Sequence, residues 1–489
     1  MSTIDYSTIL NEHRFLQAIT NVNRRAEKQT DQSKLVEIFV ETDLPTRCET
    51  TEHQIILGRR GTGKTHLMKY FQYQMQSKGY VIYFTDCTRL GSGIPSASDD
   101  PIVIASKFFS SLLNDLGTFL LDHAIRLESI TREKEERILN SLSTGLAAYM
   151  TPSANEGESI YNYRQISSTT KSLLEDLEIG RLFVVIDEWA QIPLNAQPYL
   201  AEFIKRALLT VPTISLKLLA VNYQCKFSTS IAGNIIGMQR GADFTDVIDI
   251  DQYLIFEENR SLVTDFFGQL LYNHLGAELD WNLKLSSEEK AKSIKRIFTQ
   301  EPDFVELVRA DEGNCRDFIC IFSKAYIEGF RRNTDAKSIS IPHIQSAASS
   351  WYTNEKESNI KTEKDVRETI SFLLDKVLKD YRSRTFMVET GQEEHPRLLR
   401  LLNERILHRL NIKYSHPDRP GLRYELYSLD YGAYITYRGT VNEPRQEIFF
   451  TRKDVALLPE DERKGIVPFD DRRSIRRIVF NPNELSIET

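Results

Sequence analysis

The sequence lacks the features that mark membrane and secreted proteins. Among its 489 residues there is no run of about 18 consecutive apolar residues, which argues against a transmembrane helix. The first residues contain no basic segment followed by an apolar one, so we predict no secretion signal. These absences predict a cytoplasmic protein that does not associate with membranes.

Cysteine is scarce, and positive charge is not in excess. The five cysteines are scattered, odd in number and without the spacing of metal ligands, which is typical of ordinary thiols in a reducing compartment. A net charge of −7 argues against non-specific coating of nucleic acid, although it leaves room for a local basic patch. The length predicts about two to four globular domains.

One stretch predicts a phosphate-binding loop. Residues 58–65 read Gly-Arg-Arg-Gly-Thr-Gly-Lys-Thr, after the apolar run Gln54–Leu57 and before the amphipathic run Leu67–Phe71. This is the strand, loop and helix order that the P-loop motif requires. Glycines let backbone N–H groups turn toward a phosphate, and the helix N-terminus adds its positive dipole.

The residue types of the loop predict individual roles in binding ATP. Lys64 is expected to reach the β- and γ-phosphates, and the Thr65 hydroxyl to hold Mg²⁺. His66 lies at the start of the following helix and is not expected to act as a catalyst. The predicted cofactor-binding residues are Gly58, Gly61, Thr62, Gly63, Lys64, Thr65 and His66.

A second segment predicts the hydrolytic residues. Residues 181–188 form an apolar run that ends in Asp187 and Glu188. A run without alternation is typical of a strand buried on both faces of a parallel sheet, and ligands gather at the carboxyl end of such strands. Asp187 is expected to bind Mg²⁺ through water and Glu188 to act as general base, which predicts an ATPase.

The remaining pattern predicts an α/β fold in several segments. Alternating strands and helices indicate a mostly parallel P-loop sheet. We predict these segments: an N-terminal helical arm (1–50), an ATPase core (51–254) with a helical insertion (about 101–177), a helical lid (255–352) and a winged-helix module (353–489).

The winged-helix prediction depends on the order of elements. A polar stretch at 353–359 is interpreted as a linker. It is followed by helix 362–382, strand 385–388, helix 396–410, and strands 412–415 and 424–428 around a Pro/Gly/Asp-rich turn.

With these residues in view, the first 350 or so residues resemble an AAA+ ATPase of the origin-recognition/initiator type and its bacterial relatives. In this family an arginine of the lid, the sensor 2 residue, reaches the γ-phosphate, and Gly313-Asn314-Cys315-Arg316 resembles that motif. The resemblance implies that Asn222 is sensor 1, which orients the attacking water. It also implies a trans-acting arginine finger at Arg240, with Arg206 as the alternative, and thus a homo-oligomer.

Basic residues in the winged-helix region suggest a surface for DNA. Arg397, Arg400 and Arg405 lie on related turns of the predicted helix, and Arg419 lies at the tip of the hairpin. Such a helix would enter the major groove and the wing would contact the backbone. The alternative is a winged helix that docks a protein.

The sequence therefore predicts an ATP-binding and hydrolysing AAA+ switch that docks DNA. One alternative is an NTPase sensor of a bacterial anti-phage defence system that controls a partner effector protein. Another is a replication initiator or loader. No nuclease, protease or Toll-type signature is present, so any effector chemistry is expected to belong to a partner.

Overall fold

The computed structural model describes residues 10, 12–22, 31–90, 100–126, 134, 136, 161–256, 259–281, 285–332, 338–380, 383–391, 395–415, 421–438, 456, 459–460, 463 and 478–484. By its internal contacts the chain divides into two compact units, one of residues 29–250 and one of residues 1–28 with 251–489. No helix in the described ranges has both the length and the apolar character needed to span a bilayer.

Helices and strands alternate along the first half of the chain. The α-helices are α1 (His13–Asn21), α2 (Gln32–Glu37), α3 (Leu44–Cys48), α4 (Lys64–Ser77), α5 (Cys87–Leu90), α6 (Pro101–Ile125), α7 (Tyr163–Asp176), α8 (Gln197–Ala207), α9 (Ile250–Tyr253), α10 (Arg260–Leu279), α11 (Ser287–Ile294), α12 (Glu301–Ala310), α13 (Cys315–Arg332), α14 (Ile341–Trp351), α15 (Lys364–Leu373), α16 (Pro396–Asn403) and α17 (Tyr431–Arg438). The strands are β1 (Gln54–Leu57), β2 (Val81–Asp86), β3 (Leu182–Asp187), β4 (Ile214–Ala220), β5 (Ser228–Ile231), β6 (Asn234–Gly237), β7 (Asp246–Asp249), β8 (Thr385–Glu389), β9 (Leu407–Ser415), β10 (Arg423–Leu429) and β11 (Val479–Phe480).

The unit of residues 29–250 is built on a parallel sheet. Its strand order is β2-β3-β4-β1-β7, and every neighbouring pair is parallel. Strands β3 and β4 are buried at every position, as expected for apolar strands covered on both faces. The α/β fold class with a parallel P-loop sheet is confirmed. Because the strands are parallel, the carboxyl ends of β1, β3 and β4 meet at one edge.

Helices cover both faces of this sheet. Alternate residues of β3, among them Val184, join an apolar core with α6, α7 and α8. Phe183 points to the opposite face, where its ring meets that of Phe71 on α4 at 5.4 Å. A fully buried phenylalanine contributes about 1.5–3 kcal/mol relative to an exposed one. The core thus fixes the strand ends that carry the polar residues of the site.

The other unit contains a helical region and a C-terminal module. Helix α1 packs against α10, and the Tyr326 hydroxyl donates to the carbonyl of Leu10 at 2.6 Å. The helical region comprises α10 to α14. The boundaries of the segments proposed from sequence, including the helical arm, stay predictions. The polar loop at 151–157 inside the predicted insertion lies outside the described residues.

The C-terminal module has the predicted winged-helix order of helix, strand, helix and hairpin, formed by α15, β8, α16, β9 and β10. Its sheet has the order β11-β8-β10-β9, in which β10 is antiparallel to both β8 and β9. Strand β11 is an addition that the sequence pattern did not predict, because it is only two residues long.

Two details of the predicted module were wrong. The helix expected at 396–410 ends at Asn403, because Arg405 adopts a left-handed conformation (φ +58°) and the Ile406 N–H donates to the carbonyl of Leu401 at 2.9 Å. The linker expected at 353–359 is helical, with a π-turn and a 3₁₀ turn. Lys356 is buried within it and pairs with carboxylates, which explains why a polar stretch is ordered.

Candidate nucleotide site

Two glycines of the loop after β1 are required by its geometry. Gly63 precedes α4 with φ +99°, a region that residues with a side chain rarely adopt. A Cβ atom on Gly58 would lie 2.7 Å from the Thr62 hydroxyl oxygen, which in turn donates to the Arg59 carbonyl at 2.9 Å. The loop is therefore wound tightly at the N-terminus of a 14-residue helix. Such a terminus is a ready site for an anion.

Lys64 is buried, and its charge is held against the loop itself. Its Nζ donates to the carbonyl oxygens of Gly58, at 2.7 Å, and Arg59, at 3.0 Å. Neutral carbonyls solvate an ammonium group but do not neutralise it, so a phosphate near the loop would be a stronger partner.

Thr65 and Asp187 come together although 122 positions separate them in the chain. The Thr65 hydroxyl donates to Asp187 Oδ2 at 2.7 Å. Burial raises the pKa of Asp187 to about 6, while the Thr65 hydroxyl, the Glu188 N–H and the Lys64 charge oppose that rise. A buried carboxylate beside a hydroxyl is an oxygen donor set of the kind that Mg²⁺ prefers, and additional positive charge would favour its ionised form.

Glu188 follows β3 in an unusual conformation. Its φ of +52° and ψ of 41° are left-handed, which costs a non-glycine residue about 1–2 kcal/mol. Its N–H donates to Asp187 Oδ1 at 2.7 Å, and its carbonyl accepts from the Gln191 N–H at 2.9 Å. The side chain is half-buried at the same edge as Thr65.

Asn222 also lies at this edge. It comes two residues after β4, and its Nδ2 donates to Asp249 Oδ2, at the end of β7, at 3.1 Å. The parallel sheet thus gathers the loop of residues 58–65, Asp187, Glu188 and Asn222, all of which were candidates from sequence.

The two candidate arginine fingers differ in their surroundings. Arg240 is exposed, contacts the Cys225 thiol and lies 5.8 Å from the centre of the Phe227 ring. Arg206 pairs with Glu202 one turn earlier on α8 and stacks over the Tyr163 ring at 5.7 Å. His66 Nε2 lies 3.0 Å from the carbonyl oxygen of Leu35, so this ring nitrogen has a partner within the protein.

The candidate sensor 2 residue, Arg316, belongs to the other unit, in the first turn of α13. The residues on both sides of it form buried ion pairs with the C-terminal module. Glu312 pairs with Arg384, which directly precedes β8. Asp317 pairs with Lys356 at 3.0 Å and with Arg405 at 3.1 Å.

The basic residues proposed for DNA binding also have partners within the protein. Arg400 pairs with Glu363 and Glu404, and its side chain is 31% exposed. Arg397 lies 3.8 Å from Asp365 and is 14% exposed. Arg405 does not lie on α16, as the predicted helix required, and its guanidinium is held by the buried Asp317. Arg419 lies outside the described residues.

Sequence reasoning missed one residue of this region, Gln197. It is the first residue of α8 and is fully buried, with hydrogen bonds to the segments that follow β3 and β4. A single glutamine before a proline carries no sequence signal of such a role.

Comparisons with known proteins bear on the loop region. Residues 22–80, which include β1, the loop and α4, match the family model described as ORC-CDC6-like. Within these residues the match confirms the predicted resemblance to the origin-recognition type. No curated protein sequence matches the chain. The Aeropyrum pernix ORC1 protein, solved in complex with DNA, is 13% identical, with 87% of this chain and 96% of that chain covered and a TM-score of 0.31. That score is too low for the likeness to carry an argument.

The ORC-CDC6-like segment and the strands beside it supply donors that fit Mg²⁺ and a triphosphate. The glycine loop offers backbone N–H groups and a helix N-terminus, and Lys64 brings a buried positive charge. Thr65 and Asp187 offer hard oxygen ligands within 2.7 Å of each other. No cluster of histidine, cysteine, aspartate and glutamate typical of a protein-only metal centre is found among the described residues.

Proposed function

We propose that this protein is an AAA+ switch of the origin-recognition type that binds and hydrolyses ATP with Mg²⁺ and acts in the cytosol. The observation that carries the proposal is the 2.7 Å hydrogen bond between the Thr65 hydroxyl and Asp187 Oδ2. It joins the loop at the end of β1 to the carboxylates at the end of β3, which are the two parts that nucleotide hydrolysis requires.

The proposed roles follow from the chemistry of each side chain. Lys64 would leave the carbonyls of Gly58 and Arg59 for the β- and γ-phosphates, where its charge has a stronger partner. Thr65 and Asp187 would hold Mg²⁺, which when bound neutralises phosphate charge. Glu188 would accept the proton of the attacking water.

Replacing Lys64 tests this function. Lys64→Ala should weaken ATP binding by about 10- to 100-fold, since a hydrogen bond to a charged group contributes about 1.5–3 kcal/mol. Lys78→Ala is the matched control, because Lys78 is exposed beyond the far end of α4 and pairs with Glu49. The measurement is titration of each protein with ATP and Mg²⁺. Equal affinities for the parent and Lys64→Ala would contradict the proposed site.

Two further side chains are proposed to report the state of the nucleotide. Asn222 would orient the attacking water, and Arg316 would make the position of the lid depend on the γ-phosphate.

Arg240 would reach the nucleotide of a second copy in a homo-oligomer, a role supported by its exposed position before β7. A strictly monomeric mass in the presence of ATP would contradict the role of Arg240.

We further propose that the winged-helix module binds DNA, as an initiator or loader would. Support comes from the order of its elements and from the ORC-CDC6-like description of residues 22–80. Arg405 is held by the buried Asp317, and Arg397 is only 14% exposed. We therefore propose Arg400 and Arg419 as the contacts with DNA. Arg400 would exchange its carboxylate partners for phosphate oxygens, which bind guanidinium in the same two-point manner.

DNA binding should weaken steeply with salt, because each neutralised phosphate releases counterions. The double variant Arg400→Gln with Arg419→Gln should make the slope of log K against log salt shallower by about 2. The control is Lys361→Gln with Lys364→Gln, which removes the same charge from exposed positions before and within α15. A duplex titration at several salt concentrations measures both slopes. Undetectable binding at about 50 mM salt would favour a winged helix that docks a protein.

A further inference from the structure

One buried amide connects the two segments that carry the catalytic candidates. Gln197 Oε1 accepts hydrogen bonds from Trp189 Nε1 at 3.1 Å and from the Lys226 N–H at 2.6 Å. Its Nε2 donates to the carbonyls of Ile192, at 2.9 Å, and Gln224, at 3.0 Å, with a longer contact to the carbonyl of Trp189 at 3.4 Å. Gln197 has no exposed surface.

The orientation of this amide is fixed by its partners. Every contact of Oε1 is an N–H donor, and every contact of Nε2 is a carbonyl acceptor. The reverse orientation would place oxygen against carbonyls and NH₂ against N–H groups. No carboxylate, hydroxyl or apolar side chain can satisfy all five contacts, so the site is specific for glutamine.

The two tethered segments are those of Glu188 and Asn222. Trp189 and Ile192 belong to the turn that holds Glu188 in its left-handed conformation. Gln224 and Lys226 follow Asn222, and the Gln224 N–H donates to the carbonyl of Val221 at 3.1 Å. A strained residue keeps its conformation only when the surroundings hold it there.

Aromatic packing extends the connection toward Arg240. The rings of Trp189 and Phe227 are stacked, with 6.1 Å between their centres. The Arg240 guanidinium lies over the Phe227 ring, 5.8 Å from its centre. Displacement of Trp189 would therefore shift both Glu188, its neighbour in the chain, and Arg240, which lies over Phe227.

We infer that Gln197 is a positioning residue for ATP hydrolysis, which fixes the segment of the general base Glu188 relative to the sensor segment of Asn222. This inference rests on the proposed ATPase function. Gln197 does not touch the nucleotide in this scheme, so its loss should lower kcat and leave KM nearly unchanged. A role in packing alone would lower thermal stability and leave kcat unchanged below the unfolding temperature.

The test compares Gln197→Met, which keeps the length of the side chain, with the parent and with Glu188→Gln. We expect kcat to fall about 10- to 100-fold, the usual effect of a small misplacement of a catalytic group, with KM within about threefold of the parent value. Adding Gln197→Met to Glu188→Gln should change kcat by less than about twofold, because residues that act as a unit are not additive.

A milder variant covers the case in which Gln197→Met fails to fold. Trp189→Phe keeps an aromatic ring against Phe227 but removes the N–H that Gln197 accepts, and it should lower kcat in the same direction. A kcat within twofold of the parent in a folded variant would overturn the inference, as would an equal further loss in the Glu188→Gln background. If the parent protein itself does not hydrolyse ATP, the proposed function fails, and the positioning role fails with it.

Discussion

The Glu188→Gln protein is expected to bind ATP as tightly as the parent and to hydrolyse it about 10²–10⁴-fold more slowly. The substitution keeps the size of the side chain and removes only its capacity to accept a proton. The backbone bonds that fix the residue, to Asp187 Oδ1 and from the Gln191 N–H, do not involve the carboxylate. The measurement is steady-state phosphate release together with ATP titration.

Two further variants show whether the loss of rate is specific to the carboxylate of Glu188. Glu175→Gln is the matched control, because Glu175 is an exposed carboxylate on α7 and should leave both rate and affinity unchanged. Asp187→Asn should instead weaken the Mg²⁺-dependent part of binding, since Asp187 is a proposed ligand of the ion. Hydrolysis by Glu188→Gln at the parent rate would show that the general base lies elsewhere.

The nucleotide site could be predicted because its signals are local. The glycines of the loop, the lysine and the threonine are neighbours in sequence, and each is required by backbone geometry or by phosphate chemistry. The buried run that ends in Asp187 indicated a parallel strand, and parallel strands bring their carboxyl ends to one edge. Proximity of Thr65 and Asp187 followed from these two facts.

Features that depend on distant partners could not be predicted. Nothing near Arg405 stops a helix in the sequence, and its left-handed conformation is accompanied by an ion pair with Asp317, 88 positions away. The polar stretch at 353–359 has the composition of a linker, yet Lys356 within it is buried between two carboxylates. The role of Gln197 depends on five hydrogen bonds to four residues of two other segments, none of which the sequence around Gln197 indicates.

Lys356→Met is expected to destabilise the unit of residues 1–28 and 251–489 by about 3–5 kcal/mol, the usual cost of breaking a buried ion pair from one side. Lys356 Nζ lies 3.0 Å from Asp317 Oδ2 and 2.5 Å from Asp430 Oδ2, and all three side chains are at most 2% exposed. Methionine preserves the packing but leaves two buried carboxylates with less positive charge. Arg405 remains beside Asp317, and His408 remains beside Asp430 at 3.3 Å.

Denaturant unfolding followed by tryptophan fluorescence measures this loss, since Trp351 is buried on the preceding helix. Lys364→Met serves as the control, because Lys364 is an exposed residue that pairs weakly with Glu368 at 3.7 Å, and surface changes of this kind stay within about 0.5 kcal/mol. A difference below about 1 kcal/mol for Lys356→Met would mean that Arg405 and His408 suffice to hold both carboxylates.

The pH dependence of the loss gives a second, independent check. Burial alone would raise the pKa values of Asp317 and Asp430. The Lys356 charge, together with Arg405 beside Asp317 and His408 beside Asp430, instead holds both pKa values below their usual range. Carboxyl groups with a lowered pKa contribute stability above their unfolded pKa of about 4, and that contribution disappears as the pH falls through the folded values.

Without Lys356, burial should raise the pKa values of Asp317 and Asp430, so these two carboxyl groups become easier to protonate in the folded protein. The difference in stability between parent and Lys356→Met should therefore be largest near neutral pH and shrink toward pH 4. A difference that stays constant over this range would assign the effect to packing rather than charge.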